Sequence, residues 1–292
     1  MGDSNPAFAR RAFYESEIRM TPVKAKKTAA IGSPRPSTAV VAQAVGQVTF
    51  WEIVQDKVLY NILICTVLLL GVGVLASRLS FVRPERIILD FGLSALNISC
   101  ALIATFYGAS MLGREFDRRT IYVALARPIS RPQFVLGKYA GLGVVILVNW
   151  VLMSIAYLAI LSFTGGSANP TLIIALLLIL MQSWMIAGIA MVFSSISTTS
   201  LSVMMTIGMY LIGNNISQIR FVATRVRSVT ASATLNALAT VLPNLEYFNL
   251  DTKVTYGLPV SFSFWMTSLG YGAVISALCL LSAGILIHWK EG

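Results

Sequence analysis

The sequence has little of what most catalytic sites need. Among 292 residues there are one histidine, three cysteines and only 12% charged residues. The single His288 cannot supply the paired histidines of an H-E-x-x-H zinc site, and a Ser–His–Asp triad would have to be assembled around it. Gly137–Lys138 lacks the earlier glycine and the following Ser or Thr of a phosphate-binding P-loop. We therefore expect no catalytic, cofactor-binding or metal-binding residues in this chain.

The three cysteines do not indicate a disulfide framework or a zinc site. Cys65, Cys100 and Cys279 each lie inside an apolar run and show no paired spacing. We expect them to be buried free thiols. A soft-metal path formed by cysteines and nearby methionines is an alternative, but thioethers at these spacings mostly serve packing.

Long apolar segments are what the sequence has in abundance. It is 56% hydrophobic, its mean hydropathy is +0.76, and its charged fraction is well below the roughly 25% of soluble domains. We predict an all-α membrane protein with six transmembrane helices. At about 1.5 Å per residue, the following segments can cross or nearly cross the bilayer core: residues 58–76, 88–112, 136–163, 171–193, 201–216 and 264–288. The fifth is the shortest, because Asn214 and Asn215 interrupt it.

The formal net charge of +10 comes from basic residues in the N-terminal region and between the apolar segments. They do not stud an aromatic-rich face, so we expect membrane lipids with anionic headgroups, and not nucleic acid, as their counter-charge. Residues 1–47 are predicted to form a basic, flexible cytosolic extension, and residues 48–292 the membrane domain. No cleaved signal peptide is expected, since the first strong apolar segment follows residue 57. Translation could start at Met1 or at Met20.

An amphipathic helix is predicted directly before the first span. Phe50, Val54 and Val58 recur every four residues, while Glu52 and Asp56 fall on the opposite side. This pattern is typical of an interfacial elbow helix that lies along the bilayer surface and enters it near Val58.

The polar segment from residue 113 to residue 141 separates the second and third apolar segments. Its first half combines five charged residues with apolar residues spaced for one face of a short helix. Pro128 should end that helix near Ala126. Ser130 and Gln133 are spaced as a capping box, so a second helix should begin there and continue through Lys138 into the membrane. The segment is therefore predicted to be a kinked elbow joining two spans.

The same segment contains the pattern E-x4-T-x4-L-x2-P-I-S-R-x5-G-K, from Glu115 to Lys138. It resembles the cytosolic coupling segment of ATP-binding-cassette (ABC) transporter type-2 permeases. Weaker resemblances occur in the expected order at residues 49–63 and 242–250.

This resemblance implies a six-span half-transporter with a cytosolic coupling helix. ATP and Mg would bind to a separate cytosolic ABC ATPase subunit, and a second permease chain would complete the path, with a homodimer expected. The family includes mostly exporters, and the expected location is a bacterial inner membrane. The residues expected to couple to the ATPase are Glu115, Arg118, Arg119, Thr120, Tyr122, Pro128, Ser130 and Arg131.

The resemblance also implies that both termini are cytosolic. On that topology, fifteen Lys and Arg residues lie inside and seven outside, but the difference is eight against seven when the distal tail is discounted. The orientation therefore depends more on the resemblance than on charge. The segment between residues 217 and 263 is predicted to form helices at the outer surface that end at Pro243, with Tyr247 and Phe248 as headgroup-level anchors.

A few polar residues lie within or beside the predicted spans. Five of them are candidates for a translocation path: Asn97, Ser99, Gln182, Asn214 and Asn215. Interhelical hydrogen bonding is the alternative interpretation, since such bonds commonly join membrane helices. For the whole chain, the alternative to a permease is a membrane anchor or assembly subunit that holds a cytosolic partner without transporting anything.

Overall fold

The computed structural model describes residues 38–79, 84–117, 131–164, 169–226 and 228–289. Within these ranges the chain forms ten α-helices and one short 3-10 helix and contains no β-strand. The predicted all-α fold is confirmed. Residues 1–37 and the centre of the elbow, residues 118–130, lie outside the described residues.

The α-helices are numbered along the chain. In chain order they are α1 (Thr38–Val54), α2 (Lys57–Leu79), α3 (Pro84–Asp117), α4 (Arg131–Phe163), α5 (Pro170–Ile196), α6 (Thr199–Gly213), α7 (Ile216–Arg225), α8 (Val229–Val241), α9 (Asp251–Thr255) and α10 (Phe262–Trp289).

Among the described helices, five are long and apolar enough to cross a membrane: α2, α3, α4, α5 and α10. The predicted fifth span corresponds to α6, which has 15 residues and is about 22 Å long, short of the roughly 30 Å hydrocarbon core. It ends because the chain breaks at Asn214 and Asn215, and the Gly213 carbonyl accepts a hydrogen bond from the Leu245 N–H at 2.9 Å. The predicted count of six spans is therefore not reproduced by helix length.

The N-terminal helix α1 is longer than predicted. It begins at Thr38, so the predicted domain boundary after residue 47 falls inside it. Its buried stripe consists of Gly46, Thr49 and Ile53, which pack along α4, whereas the predicted apolar stripe at Phe50 and Val54 is only half-buried. Small residues on the buried stripe permit the close contact with α4, while the stripe predicted to lie against the bilayer stays partly open.

The transition from α1 to the first span matches the prediction closely. After a break at Gln55 and Asp56, the span α2 begins at Lys57. The Asp56 carboxylate accepts a hydrogen bond from the Val58 N–H at 3.0 Å, which satisfies one of the free N–H groups at the start of α2.

Helices α3 and α5 form the centre of the bundle, with α2, α4 and α10 packed around them. Gly108 permits close contact between α3 and α5, since a Cβ there would lie 2.7 Å from the Ala190 Cβ. At the elbow end, the Ser194 hydroxyl of α5 donates to the Ala109 carbonyl at 2.6 Å and accepts from the Gly113 N–H at 2.9 Å. These contacts fix the last turns of α3 before the elbow.

Two tryptophans join α4 to α5. The Trp150 indole N–H donates to the Leu176 carbonyl at 2.8 Å, and the Trp184 indole N–H donates to the Gly143 carbonyl at 3.2 Å. Indole groups inside a membrane domain need such partners because hydrocarbon offers none. The later of the two α4 residues, Trp150, pairs with the earlier of the two α5 residues, Leu176, so helices α4 and α5 are antiparallel.

The segment after α6 contains the predicted surface helices. Helices α7 and α8 contact each other, and α8 ends at Val241, two residues before Pro243, as predicted. Phe248, however, is 1% exposed and packs beside Tyr271 and Gly272. It is a core residue and not the lipid-facing anchor that the sequence suggested, whereas Tyr247 is exposed.

The three cysteines are free, as predicted. Cys100 is buried and Cys279 is partly buried, but Cys65 is exposed on α2. The prediction that all three are buried is therefore wrong for Cys65, because apolar surface on a membrane span need not face the protein core.

Candidate coupling site and polar network

The predicted coupling residues lie on the elbow between α3 and α4. Six of them lie outside the described residues: Arg118, Arg119, Thr120, Tyr122, Pro128 and Ser130. Glu115 and Arg131 belong to the described helices, but their side chains are outside the described set. The helix predicted to follow Ser130 is present, since α4 runs from Arg131 to Phe163, and its part from Gln133 to Phe163 is long and apolar enough to cross a membrane.

Glycines in the last part of the elbow bring α1 into close contact with the start of α4. A Cβ at Gly137 would lie 2.7 Å from the Val45 Cβ, and one at Gly141 would lie 2.6 Å from the Gly46 carbonyl oxygen. Gly137 and Gly141 are four residues apart, so both fall on the same face of α4. This is the spacing by which small residues let two membrane helices approach closely.

A buried lysine strengthens the same contact. Lys138 is 7% exposed, and its Nζ lies 3.7 Å from Glu52 Oε2 on α1 and 5.6 Å from the centre of the Phe134 ring. The lysine lines a cavity of about 30 Å³, with room for a water molecule. Other residues around the cavity include Thr49, Asp56, Tyr107 and Ser110. The cavity therefore joins α1, the start of α2, the end of α3 and the start of α4.

The structure thus gives a physical role to the last two residues of the elbow pattern. Gly137 permits the α1 contact, and Lys138 pairs with Glu52 across it. Neither of these two residues, nor Glu52, is among the coupling residues that the sequence predicts. The four-residue glycine spacing, with a lysine beside it at the start of an apolar helix, is the signal from which this contact could have been found.

We expect unequal losses of stability from removing either partner of this ion pair. Lys138→Met should change the free energy of unfolding by less than about 1 kcal/mol, because it removes the buried charge and keeps an apolar stem. Glu52→Gln should cost more than Lys138→Met, because it withdraws negative charge from a lysine that stays buried, although the 57% exposure of the Glu52 side chain keeps this cost near about 1 kcal/mol. Unfolding of both variants and of the double variant would measure this. A Lys138→Met cost larger than that of Glu52→Gln would contradict the assigned pairing.

Three of the predicted path residues form one polar network near the break after α6. The Gln182 amide donates to Asn214 Oδ1 at 3.2 Å, and the Asn214 amide donates to the Tyr210 carbonyl at 2.9 Å. The Tyr210 hydroxyl donates to Asn97 Oδ1 at 3.3 Å. The network therefore connects α3, α5 and α6 at the point where α6 ends.

The other two predicted path residues lie apart from this network. Ser99 is buried and contacts the Asn149 amide at 3.4 Å, beside Cys100. The exposed Asn215 donates to the Leu211 carbonyl at 2.8 Å. The structure therefore brings three of the five residues together, and every one of the five has a hydrogen bond within the chain.

A partly buried carboxylate lies at the opposite end of the bundle from the elbow. Asp251 begins α9, which packs against α3 and α5. Burial raises the pKa of the Asp251 carboxyl to about 6, and the nearby Asp90 carboxylate adds to the increase. Around it, Arg86 lies 4.8 Å from the Tyr256 ring centre and Lys253 lies 4.1 Å from the Phe264 ring centre.

The stability of this end of the bundle should decrease as the pH rises, because the pKa of Asp251 is raised in the folded protein. A carboxyl whose pKa rises on folding favours the folded state in its protonated form, so its contribution is complete below about pH 4 and is lost as the pH rises through about 6. We expect unfolding to cost about 2 kcal/mol more at pH 4.5 than at pH 7 from this group, before solvent screening reduces the value. Asp251→Asn should remove the dependence. An unchanged pH profile in that variant would contradict the assignment.

A protein-family model matches more than half of the chain. Residues 78–259 match the family model described as ABC-2 family transporter protein. The chain belongs to the ABC-2 transporter family. The predicted resemblance to ABC type-2 permeases is thereby confirmed, and so is the prediction of an integral membrane protein. The comparison with curated protein sequences gives no significant match.

The matched range covers most of both candidate sites of this ABC-2 protein. It includes the elbow, Lys138, Gly141 and the Gln182 network, and it leaves out α1, most of α2, and α10. Glu52 therefore lies outside the matched range although it contacts Lys138 inside it. ABC-2 permeases are the membrane components of transporters and generally work with an ABC ATPase.

Proposed function

We propose that this ABC-2 permease receives the motion of a cytosolic ABC ATPase at its elbow and uses it to export a substrate. The observation that carries the proposal is that the elbow joins the two longest helices of the described chain, α3 with 34 residues and α4 with 33. Each helix runs unbroken from the elbow across the bundle. A displacement of the elbow therefore acts directly on two membrane helices, one of them at the centre of the core.

The contact between α1 and α4 would add α1 to the helices that move with the elbow. Because α1 packs on α4 through backbone at Gly46 and Gly141, and through Glu52 and Lys138, it should move with α4. Packed glycine contacts of this kind transmit displacement because close-packed interiors do not deform continuously. We propose that α1, the elbow and the first turns of α4 act as one rigid body.

For the substrate path, two copies of the chain are proposed to enclose a route lined in part by the predicted residues. Gln182 is the most informative of them, because it is 0% exposed and its Oε1 has no hydrogen-bond partner among the described residues. Its network lies where α6 breaks, and broken membrane helices often border transport sites. The break would let this network rearrange during transport.

Labelling at residue 182 tests this assignment. Gln182→Cys should be unreactive toward a water-soluble thiol reagent at rest and become reactive when the ATPase partner turns over ATP. Ser183→Cys, which is equally buried on the same helix, is the matched control. Equal protection of residue 182 in both states would restrict its role to packing.

Reconstitution tests the proposed function as a whole. The chain and its ATPase should be placed together in vesicles, with ATPase turnover measured with and without the permease. We expect the permease to change that turnover, and substitutions in the elbow, such as Glu115→Ala, to reduce the change strongly. A membrane anchor would retain the ATPase on the vesicles and leave its turnover unaltered, with or without the elbow residues.

A further inference from the structure

A serine of α5 bridges two backbone groups of α3 one turn before that helix ends. In a regular α-helix each N–H donates to the carbonyl four residues earlier, so the Gly113 N–H is the natural partner of the Ala109 carbonyl. Here the Ser194 hydroxyl donates to that carbonyl at 2.6 Å and accepts from that N–H at 2.9 Å. The last turn of α3 is therefore hydrogen-bonded to α5 through the same groups that would join it to the preceding turn.

The position and chemistry of Ser194 both suit this bridge. A hydroxyl has one donor and two acceptor lone pairs, so it can bond a carbonyl and an N–H at the same time. Gly108 brings α5 near enough, since a Cβ there would lie 2.7 Å from the Cβ of Ala190, one turn before Ser194 on the same face. Ser194 is 0% exposed, so its hydroxyl is shielded from solvent.

The bridge is not the usual hydrogen bond of a buried helical serine. Such a hydroxyl commonly donates to a carbonyl of its own helix, three or four residues earlier. Ser183, which is as buried on the same helix, does this, donating to the Ile179 carbonyl at 2.7 Å. Ser194 differs because both of its hydrogen bonds cross to α3. It therefore joins two helices instead of completing one.

The same turn of α3 also meets the start of α6. A Cβ at Gly113 would lie 2.5 Å from Thr199 Oγ1, so only a glycine leaves room for the first residue of α6 at this distance. The end of α5 and the start of α6 thus both contact the last turn of α3. These three helix ends come together directly before the elbow.

We infer that Ser194 is a positioning residue that passes a displacement of the elbow from α3 to α5 and α6. The inference rests on the proposed function, because it takes the elbow as the point where motion enters. Helices bend where a side chain inserts into their backbone hydrogen bonding, so the last turn of α3 can tilt while it stays attached to α5. The displacement then reaches α6, which ends at the Asn214 hydrogen bonds of the polar network.

Three single substitutions isolate the hydroxyl. Ser194→Ala removes it and leaves the Ala109 carbonyl and the Gly113 N–H able to bond each other, so thermal unfolding should stay close to wild type. Ser194→Thr keeps the hydroxyl. Ser183→Ala is the matched control, because it removes an equally buried hydroxyl whose hydrogen bond lies within α5. If Ser194→Ala does not fold, Ser194→Thr and Ser194→Val decide, since these isosteric side chains differ in the hydroxyl.

The measured quantity is the distance between the end of α3 and α6. Nitroxide labels are attached at Asp117→Cys, the last residue of α3, and at Leu211→Cys, a 57% exposed position of α6. Cys65 and Cys279, which are exposed and partly buried, are replaced with serine so that they do not react. Pulsed electron paramagnetic resonance gives the distance distribution, first for the permease alone and then with the ATPase partner and ATP.

For the permease alone, we expect a broadened or shifted distribution in Ser194→Ala and the wild-type distribution in Ser194→Thr and Ser183→Ala. Superimposable distributions of Ser194→Ala and wild type would overturn the inference. An equal disturbance in Ser183→Ala or in Ser194→Thr would overturn it as well, because the effect would then not depend on the bridging hydroxyl.

With the ATPase and ATP, the distance should change in the wild type, in Ser194→Thr and in Ser183→Ala, and this change should be lost in Ser194→Ala. A Ser194→Ala protein that keeps the full ATP-driven change would restrict Ser194 to packing and overturn the inference. A wild-type distance that does not respond to ATP would contradict the proposed function, whereas the distributions without the ATPase test Ser194 separately.

Discussion

Replacing Gly141 with leucine is expected to detach α1 from α4. A Cβ at this position would lie 2.6 Å from the Gly46 carbonyl oxygen and 2.8 Å from the Thr49 Cβ. The oxygen belongs to helix backbone and cannot move alone, so the whole of α1 must shift. We expect a loss of about 3 kcal/mol or more in unfolding free energy, at the upper end of overpacking effects. Thermal unfolding and protease cleavage within α1 would measure it.

Gly284→Leu in α10 is the matched control for this substitution. A Cβ at Gly284 meets nothing within 4 Å, so leucine there has space, and it removes the conformational cost of a helical glycine. The control should therefore be as stable as the wild type or slightly more stable. Equal stability and equal α1 protection in Gly141→Leu would show that α1 does not pack on α4 as the structure describes.

Replacing Glu115 with alanine is expected to reduce coupling strongly while leaving the fold intact. Glu115 lies in the last turns of α3, at the beginning of the elbow pattern. The sequence predicts that Glu115 is exposed in the coupling segment, and exposed ion pairs contribute about 0–1 kcal/mol, so expression and thermal unfolding should change little. We expect the permease-dependent part of ATPase turnover, or transport itself, to fall on the order of tenfold, equivalent to about 1.4 kcal/mol.

The other end of the same helix offers a matched control. Glu85 is an exposed glutamate in the first turn of α3, and Glu85→Ala should leave both stability and coupling close to wild type. If Glu115→Ala folds poorly while its surviving protein couples normally, Glu115 has a structural role. If both substitutions reduce coupling equally, the effect is not specific to the elbow.

The sequence predicted the features that depend on composition and local chemistry. Apolar length located the spans to within a few residues at most ends, and Pro128 with Ser130 placed the start of α4 at Arg131. Pro243 likewise placed the end of the surface helices. Such features can be predicted from the sequence because a proline, which lacks a backbone N–H, restricts the backbone conformation of the residues next to it in the chain.

The features that the sequence did not predict depend on contacts between distant segments. The buried face of α1 follows from glycines 90 residues later in α4, and the pairing of Glu52 with Lys138 crosses the same distance. Phe248 looked like an interfacial aromatic, but it fills the space beside Gly272 in the core. Periodicity cannot reveal such partners, because it reports which residues share a face and not what that face contacts.

The fifth predicted span shows a second limit of prediction from the sequence. The apolar composition of residues 201–216 favoured a span, and the paired asparagines argued against it. In the structure, Asn214 is used within the bundle, where its side chain accepts from Gln182 and donates to the Tyr210 carbonyl. These hydrogen bonds satisfy the amide where α6 breaks, so α6 ends before it has the length of a full span.

We propose that the elbow is the contact through which an ATPase drives this ABC-2 permease. The most direct measurement is mild extraction from native membranes, followed by mass determination and crosslinking from Arg118 and Tyr122, two residues of the elbow. We predict a particle with two permease chains and two ATPase chains, and crosslinks from the elbow to the ATPase. Recovery of a lone monomer, with no ATPase bound and no crosslink from the elbow, would contradict the account.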